Sequence, residues 1–299
     1  MGYTVSGLTD YVQNNKDVLI KGVVLGTTYG DTIPNLRKQF GVKTDAKINY
    51  LDVDPVLQQG RGCGFRAAGT TDLSERQIVT HAIKVNDEWC PDDLLARFAE
   101  YLVRFGADSN AENMPFEQEI LSEIEKKIDL KMEKLVWQGD GNLQFNGFLG
   151  KAEDDGVRVD TDASATTYER IKAVIMAIPE EILDKAVVFV APALYREFAM
   201  EMVEKNYIHF GPDGTVEGKD ITFPGTDIKV HKTIGLQGSD AIVASCYENM
   251  LYATDLMDDK EEMRLWFSDD DDLFKLKVKW NAGVEYLYPD MVVYNPKGE

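Results

Sequence analysis

The sequence predicts an α+β fold, because helical and strand-like runs occupy different stretches of the chain. Apolar residues recur at helical spacing between residues 94 and 137, whereas residues 263–294 alternate apolar and polar positions as strands do. Between these stretches, residues 166–253 mix helices with short apolar strands, which is typical of a compact mixed domain. With 299 residues, 44% of them hydrophobic, the chain is long enough for a sizeable core.

The charge balance restricts the partners. Lys and Arg number 32 against 52 Asp and Glu, which gives a formal net charge of −20. Binding to nucleic acid or to an anionic membrane requires a basic surface, so the acidic composition argues against both partners. No apolar run approaches the roughly 18 residues of a membrane span, and we expect a soluble protein. The widely spaced Cys63, Cys90 and Cys246 predict no disulfide framework.

The sequence contains no recognisable catalytic, cofactor or metal motif. His81, His209 and His231 are isolated, whereas metal ligands usually come in closely spaced pairs. The stretch 62–67 matches a dinucleotide-binding pattern, but a turn follows it where a helix is required. The acidic runs between residues 258 and 272 lack the alternating spacing of a calcium loop and predict a solvated turn. We therefore predict no enzymatic activity, no cofactor and no metal.

The N-terminal part predicts an arm and a hairpin. Residues 1–47 form short helical pieces and turns that contain no independent core, so we expect this arm to pack on something else. Glycines crowd the following stretch, a turn is predicted at residues 69–72, and residues 77–85 predict one strand. Two strands joined by a glycine-rich tip form a long hairpin. A hairpin alone is marginal in water, so its partner surface is expected elsewhere, such as on another subunit.

A long helix is predicted over residues 113–137. Asn113 is a suitable N-cap, Pro115 fits the first turn, and the Gly139-Asp140-Gly141 sequence ends the helix. A helix of this length suits a strut. Apolar residues that recur every fourth position predict its core face: Phe116, Ile120, Ile124, Ile128 and Met132.

The C-terminal part predicts strands. Residues 274–280 alternate apolar residues with Lys275, Lys277 and Lys279, which predicts a half-buried strand with one basic face. This basic face is either solvated or docks on acidic groups of a neighbouring copy. A break is predicted at Ala282-Gly283, followed by a last strand over residues 284–294.

The order of these parts resembles the major capsid protein of tailed bacteriophages, which has the Hong Kong 97-like coat fold. The stretches that carry the resemblance are residues 119–150, with the strut helix and the sequence Asn146-Gly147-Phe148-Leu149-Gly150, and residues 187–198. Residues 74–91 are also similar to hairpin segments of some phage coat proteins. The resemblance covers nearly the whole chain.

This resemblance implies a division of the chain. It implies an N-terminal arm (1–47), an extended hairpin or E-loop (48–92), a peripheral domain (93–144 and 257–299) containing the strut as the spine helix, and an axial domain (145–256). The hairpin would reach across a neighbouring subunit. Its tip would contain Gly60, Arg61, Gly62, Phe65, Arg66, Gly69 and Asp72.

The implied function is that of a major capsid protein. Copies would assemble through hexamers and pentamers into the icosahedral head shell of a tailed phage or prophage, around double-stranded DNA bound without sequence specificity. A separate scaffolding protein and a portal are expected partners, with no membrane. The virion is the expected location, after assembly in the bacterial cytoplasm. Two alternatives remain: an encapsulin-like nanocompartment that houses a cargo enzyme, and a soluble enzyme with an unrecognised site.

Overall fold

A computed structural model describes residues 31–58, 69–90, 116–205, 221–255 and 262–296, and these confirm the α+β class. The helices are α1 (Phe116–Gln138), α2 (Phe148–Asp155), α3 (Thr167–Met176) and α4 (Pro192–Glu204). The strands are β1 (Arg37–Phe40), β2 (Asp45–Pro55), β3 (Gly69–Val79), β4 (His81–Trp89), β5 (Val157–Arg158), β6 (Val187–Val190), β7 (Ile221–Thr222), β8 (Lys229–Lys232), β9 (Ile242–Ser245), β10 (Met250–Thr254), β11 (Glu262–Ser268), β12 (Leu273–Tyr286) and β13 (Val293–Asn295).

The predicted strut is confirmed as α1. Ile128 and Met132 are buried and Ile124 is half-buried against the core, as the apolar spacing predicts. The side chains of Phe116 and Ile120, and the predicted cap at Asn113, lie outside the described residues. At 23 residues, α1 is about 34 Å long.

The turn after α1 depends on two glycines. Gly139 has a φ of +74°, a conformation that glycine adopts readily, and it ends the helix. Gly147 precedes α2, and a Cβ at this position would lie 2.5 Å from the carbonyl oxygen of Trp137. The chain therefore returns tightly against the end of α1, which places α2 beside it.

A six-stranded sheet forms one half of the molecule, in the order β5-β13-β9-β6-β8-β7. Every residue of β6 and β9 is buried, as expected for central strands. Helices α3 and α4 pack on this sheet, and α3 begins with a complete capping box between Thr166 and Glu169. Helix α4 begins with Pro192 in its first turn, a position that proline favours.

A five-stranded sheet is built around β12. β12 lies between β4 and β11 and pairs antiparallel with both, it also pairs antiparallel with β10, and β1 runs parallel to β10. The break predicted at Ala282-Gly283 is wrong, because β12 continues to Tyr286. Gly283 allows the chain at Val79 to cross the sheet closely, since a Cβ would collide with the carbonyl oxygen of Val79.

Strands from different predicted regions of the chain pair in the same sheet. The last strand predicted over residues 284–294 is divided: its first part belongs to β12, and β13 joins the other sheet after a short 3₁₀ turn at Pro289–Met291. β10, placed by sequence in the axial part, pairs with β12. β1 and β4, placed in the arm and the hairpin, also belong to the five-stranded sheet. These pairings join segments that are far apart in the sequence, and local periodicity contains no information about them.

The hairpin is formed by β2 and β3, which pair antiparallel from Asp45 opposite Val79 to Pro55 opposite Gly69. The turn predicted at residues 69–72 is therefore wrong: Gly69 and Asp72 lie in the paired strand β3, not in the tip. The single strand predicted over residues 77–85 is also wrong, because Thr80 interrupts it and is buried. Beyond Thr80, β4 leaves the hairpin and enters the five-stranded sheet.

One continuous core connects α1 with both sheets. Trp137 is fully buried at its centre, with ring centroids 5.7 Å from Phe148 and 5.0 Å from Phe189. Phe148 in turn lies 5.0 Å from Tyr286. These rings come from α1, α2, β6 and β12, so the strut holds the two sheets in one body.

Candidate assembly surface

Most of the described side chains of the hairpin β2–β3 are exposed. Each strand has 11 residues and would span about 36 Å. Among its described side chains only Ile78, near the base, is fully buried, whereas Leu73 is 71% exposed and Leu57, just beyond β2, is 98% exposed. A two-stranded ribbon with this little burial is marginally stable by itself, so it requires a partner surface.

The base of the hairpin is fixed to the body by packing and backbone hydrogen bonds. Ile78 is completely buried in a small cluster with Val42 and Leu251. The backbone N–H of Thr80 donates to the carbonyl oxygen of Thr44 at 2.8 Å, and its hydroxyl donates to the same oxygen at 3.2 Å. The direction of the hairpin is therefore set at its base.

Charged side chains also bind the hairpin base to the body. Arg76 of β3 contacts the Asp155 carboxylate at 2.5 Å and Glu285 at 3.4 Å. Lys151 of α2 donates to the second oxygen of Glu285 at 2.6 Å. Glu285 is 4% exposed, and a buried carboxylate is costly unless it is paired, so these two cations hold it in place.

The start of the described chain is tied to the strut by a buried carboxylate. Glu133 Oε1 accepts hydrogen bonds from the backbone N–H groups of Thr32 and Ile33 at 2.8 and 3.0 Å. Trp137 Nε1 donates to the Thr32 hydroxyl at 3.0 Å. Burial raises the pKa of Glu133 above its ordinary value, and the two N–H donors partly offset this effect.

The predicted basic face is placed on the five-stranded sheet. Lys275 and Lys277 are half-buried and Lys279 is exposed, while the alternate residues of β12 from Phe274 to Trp280 are buried. The half-buried strand with one basic face is therefore present as the alternation indicates. The face continues onto β4, where Lys84 lies directly opposite Lys279.

Two of the predicted tip residues, Gly69 and Asp72, lie within the described ranges and belong to β3. The other predicted tip residues lie outside those ranges: Gly60, Arg61, Gly62, Phe65 and Arg66. Sequence reasoning missed Arg76, Lys151 and Glu285. The signal available was Glu285 itself, a carboxylate in an otherwise apolar stretch of a strand, which requires cationic partners if it is buried.

Within the described ranges, no group of three or more His, Cys, Asp or Glu residues is arranged to hold a metal ion. No helix within the same ranges is long and apolar enough to cross a membrane. Of the cysteines there, Cys90 and Cys246 are both free.

Comparison with solved structures identifies the fold. A chain of the satellite phage P4 procapsid that includes the size determination (Sid) protein is similar over 100% of this chain and 92% of its own length, with a TM-score of 0.61 and 10% identity. The chain has the Hong Kong 97-like capsid fold. The capsid of the empty GTA particle is similar at a TM-score of 0.57 and 11% identity, covering 89% of each chain. A structure from Mycobacterium phage Che8 is similar at a TM-score of 0.51 and 12% identity, covering 90% of this chain and 92% of the other.

At this level of identity the likeness is one of fold. No protein-family model matches the sequence, and a search of curated proteins finds no significant match. In the terms of this fold, α1 is the spine helix and β2–β3 is the extended hairpin.

Proposed function

We propose that this chain is the major capsid protein of a tailed phage or prophage. Copies assemble through hexamers and pentamers into an icosahedral shell around double-stranded DNA. The observation that carries the proposal is the hairpin β2–β3, whose two long strands bury only Ile78 among their described side chains, on a fold found in phage capsids.

The physical argument concerns unpaired surface. A two-stranded ribbon that exposes Leu57 and Leu73 gains stability when it lies on a neighbour that covers those side chains. Each such contact contributes only a modest binding free energy. In a closed symmetric shell every copy makes the contact twice, once with its own hairpin and once as the surface that a neighbour's hairpin covers, so weak contacts become collectively stable.

The fixed hairpin base supports the same proposal. A projecting arm is useful for assembly only if it points in a reproducible direction, because ordering a loose arm on binding costs conformational entropy. Ile78, Thr80 and the Arg76–Glu285 pair hold the base before any neighbour is present. The contact is therefore partly preorganised.

The proposal includes further partners. A scaffolding protein and a portal would be separate chains, and the packaged DNA would be enclosed without sequence-specific binding. The net charge of −20 is compatible with a wall that does not adhere to the genome. The proposed location is the virion capsid, with assembly in the bacterial cytoplasm and no enzymatic step by this chain.

Sedimentation velocity and negative-stain microscopy of the purified chain test the proposal. We expect concentration-dependent formation of hexameric or pentameric rings and curved or closed shells. A stable monomer or dimer at high concentration, with no larger particle under any salt condition, contradicts it. Shells that contain a protein cargo and never DNA in the host would instead identify a nanocompartment.

A further inference from the structure

The hairpin β2–β3 is anchored to the body at Thr80, where β3 ends and the chain continues into β4. Thr80 is buried, and its N–H donates to the carbonyl oxygen of Thr44 at 2.8 Å. The neighbouring carbonyl of Val79 lies so close to Gly283 of β12 that a Cβ there would collide with it. This anchor fixes the position of the hairpin base. The direction in which the two strands leave the base depends on contacts farther along them.

One face of the hairpin contacts the body beyond this anchor. Arg76 lies directly opposite Ile48, and Ile78 lies directly opposite Ala46, so these side chains share one face of the ribbon. The three apolar residues pack in a cluster with Leu251 of β10. Apolar packing is non-directional and does not by itself specify one angle. Arg76 adds a directional contact, because charge-assisted hydrogen bonds have a defined geometry.

Arg76 bridges two carboxylates of the body. Its Nη2 lies 2.5 Å from Oδ2 of Asp155 and 3.4 Å from Oε1 of Glu285, so Asp155 is the closer partner. Asp155 is the last residue of α2, where the negative end of the helix dipole disfavours a carboxylate. The ion pair with Arg76 offsets this unfavourable placement, and it joins the hairpin to the end of α2.

The charge balance of the core does not depend on Arg76. Glu285 Oε2 accepts from Lys151 at 2.6 Å, and Oε1 accepts from the backbone N–H of Tyr286 at 3.2 Å. The buried carboxylate therefore keeps a cation and an N–H donor when Arg76 is removed. The Asp155 side chain is 51% exposed, and an ion pair with such a partner adds little to the unfolding free energy. Stabilisation of the fold therefore does not account for the placement of Arg76.

The position of Arg76 along β3 gives it leverage over the rest of the hairpin. Arg76 lies four residues from Thr80, about 13 Å along a strand, whereas Gly69 lies eleven residues away, about 36 Å. A displacement at Arg76 is therefore multiplied roughly threefold at Gly69. A weak ion pair suffices to bias such a swing, because it only has to favour one direction over others of similar free energy.

We propose that Arg76 is the positioning residue of the hairpin β2–β3. Through its ion pair with Asp155 it sets the angle at which the hairpin leaves the body, and so the place where the exposed Leu57 and Leu73 meet a neighbouring copy. A fixed angle favours assembly because less conformational entropy is lost on binding. The inference rests on the proposed shell-forming function and names the residue that directs one of its contacts.

Spin-label distances in the unassembled subunit measure the angle directly. Nitroxides are attached at Leu73→Cys on β3 and Lys172→Cys on α3, both exposed positions, after the three native cysteines are replaced by alanine. We expect a narrow distance distribution in this parent and one roughly twice as wide or more with Arg76→Gln, because several hairpin directions become populated. Arg76→Lys keeps the charge and should restore most of the narrow distribution.

Arg158→Gln is the matched control. Arg158 of β5 forms an ion pair with Asp160 at 2.8 Å, so this variant also removes the cation of an arginine–aspartate pair, but outside the hairpin. It should leave the distance distribution unchanged. Asp155→Asn should widen the distribution as Arg76→Gln does, and the two substitutions together should widen it no further, because both remove the same ion pair.

Melting of the subunit separates positioning from stabilisation. Arg76→Gln should melt close to wild type, whereas Lys151→Met removes the closest cation of the buried Glu285 and should melt clearly lower. In assembly, Arg76→Gln should raise the protein concentration for half-maximal shell formation by roughly fivefold or more, since the hairpin must be ordered on binding. The diameters of its particles should also vary more, and Arg158→Gln should match wild type in both respects.

Four results overturn the inference. They are an unchanged distance distribution in Arg76→Gln, equal widening in Arg158→Gln, normal shells from Arg76→Gln, and a loss of melting temperature in Arg76→Gln as large as that in Lys151→Met. The last result would assign Arg76 to the fold. If wild type forms no assemblies while Arg76→Gln still widens the distribution, the proposed function fails and the positioning role of Arg76 stands.

Discussion

The hairpin β2–β3 and the strut-centred core are stabilised in different ways. In the core, four consecutive residues of β6 and four of β9 are buried, and Trp137 is completely buried beside the rings of Phe148 and Phe189. In the hairpin, the described side chains are exposed or half-buried except for Ile78 at the base. Composition follows the same contrast, because β6 consists of Val and Phe, whereas β2 includes three Asp, one Asn and one Pro, which are depleted in strands.

The difference shows that the chain contains two kinds of stability. The core buries its apolar surface within one copy and should fold independently of assembly. The two strands of the hairpin pair with each other within one copy, but their outer edges and exposed apolar side chains are left for another. Substitutions in the two regions should therefore affect different measurements, and the following predictions are ordered by their effect on the unassembled subunit.

Trp137→Ala should have the largest effect on subunit stability. It removes a fully buried ring that contacts Phe148 and Phe189, and it removes the N–H donor to Thr32. Loss of a large buried aromatic costs about 3–5 kcal/mol. Urea unfolding of the unassembled subunit measures this change, and a loss below about 1 kcal/mol would show that the strut does not organise the core.

Gly147→Ala should destabilise the subunit by roughly 1–3 kcal/mol through overpacking. Its Cβ would lie 2.5 Å from the carbonyl oxygen of Trp137 and 2.6 Å from the Gly139 nitrogen, and backbone atoms cannot easily move away. Gly141→Ala is the matched control, because no atom lies within 4 Å of its Cβ position. Equal unfolding free energies for the two variants would contradict the tight return after α1.

Glu133→Gln should change the pH dependence of stability. Burial raises the pKa of Glu133 in the folded protein above its ordinary 4.5, so its contribution is fully present below about pH 4.5 and is lost as the pH rises through the folded pKa. Glutamine keeps an oxygen that can accept from Thr32 and Ile33 but cannot ionise. Relative to wild type, the variant should therefore become progressively more stable as the pH rises.

Urea unfolding at a series of pH values measures this difference. Two other acidic residues bear on Glu133: Asp31, which also raises the Glu133 pKa, and the buried Asp129, one turn away on α1. Glu123→Gln, an exposed position on the same helix, is the control and should follow the wild-type profile. A constant offset between Glu133→Gln and wild type at all pH values would show that Glu133 does not titrate differently on folding.

The double substitution Leu57→Ser with Leu73→Ser should have the smallest effect on the subunit. Both side chains are largely exposed, so the unfolding free energy should change by no more than about 0.5 kcal/mol. Shell formation, observed by negative-stain microscopy, should nevertheless be lost or strongly weakened. Leu143→Ser, on the 3₁₀ turn beyond the strut, should assemble normally, and normal shells from the double variant would show that the hairpin contact is dispensable.

Local patterns predicted the strut and the first half of β12 correctly. The fourfold spacing through Ile124, Ile128 and Met132 defines the buried face of α1, and the alternation from Phe274 to Trp280 defines the first half of β12. These predictions succeed because the period of side-chain direction is a property of the backbone conformation itself. Thr166 at the N-cap of α3 and Pro192 in the first turn of α4 follow equally local preferences.

The errors occur where distant segments decide the outcome. Gly283 reads as a strand break, yet it is the position where β12 accommodates the crossing chain at Val79. Gly69 and Asp72 read as a turn, yet pairing with Pro55 and Asp52 keeps them in β3. In each case hydrogen bonding or close approach by another segment outweighs the local preference.

The sequence by itself determined the α+β class, the strut, the basic row on β12 and the absence of recognisable catalytic motifs, because these depend on periodicity and residue type. Only the tertiary structure decided which strands share a sheet, how Arg76 and Lys151 meet Glu285, and that Lys84 of β4 lies opposite Lys279 of β12. Those features require residues far apart in sequence to be adjacent in space. Strand pairing creates this adjacency, and no local pattern encodes it.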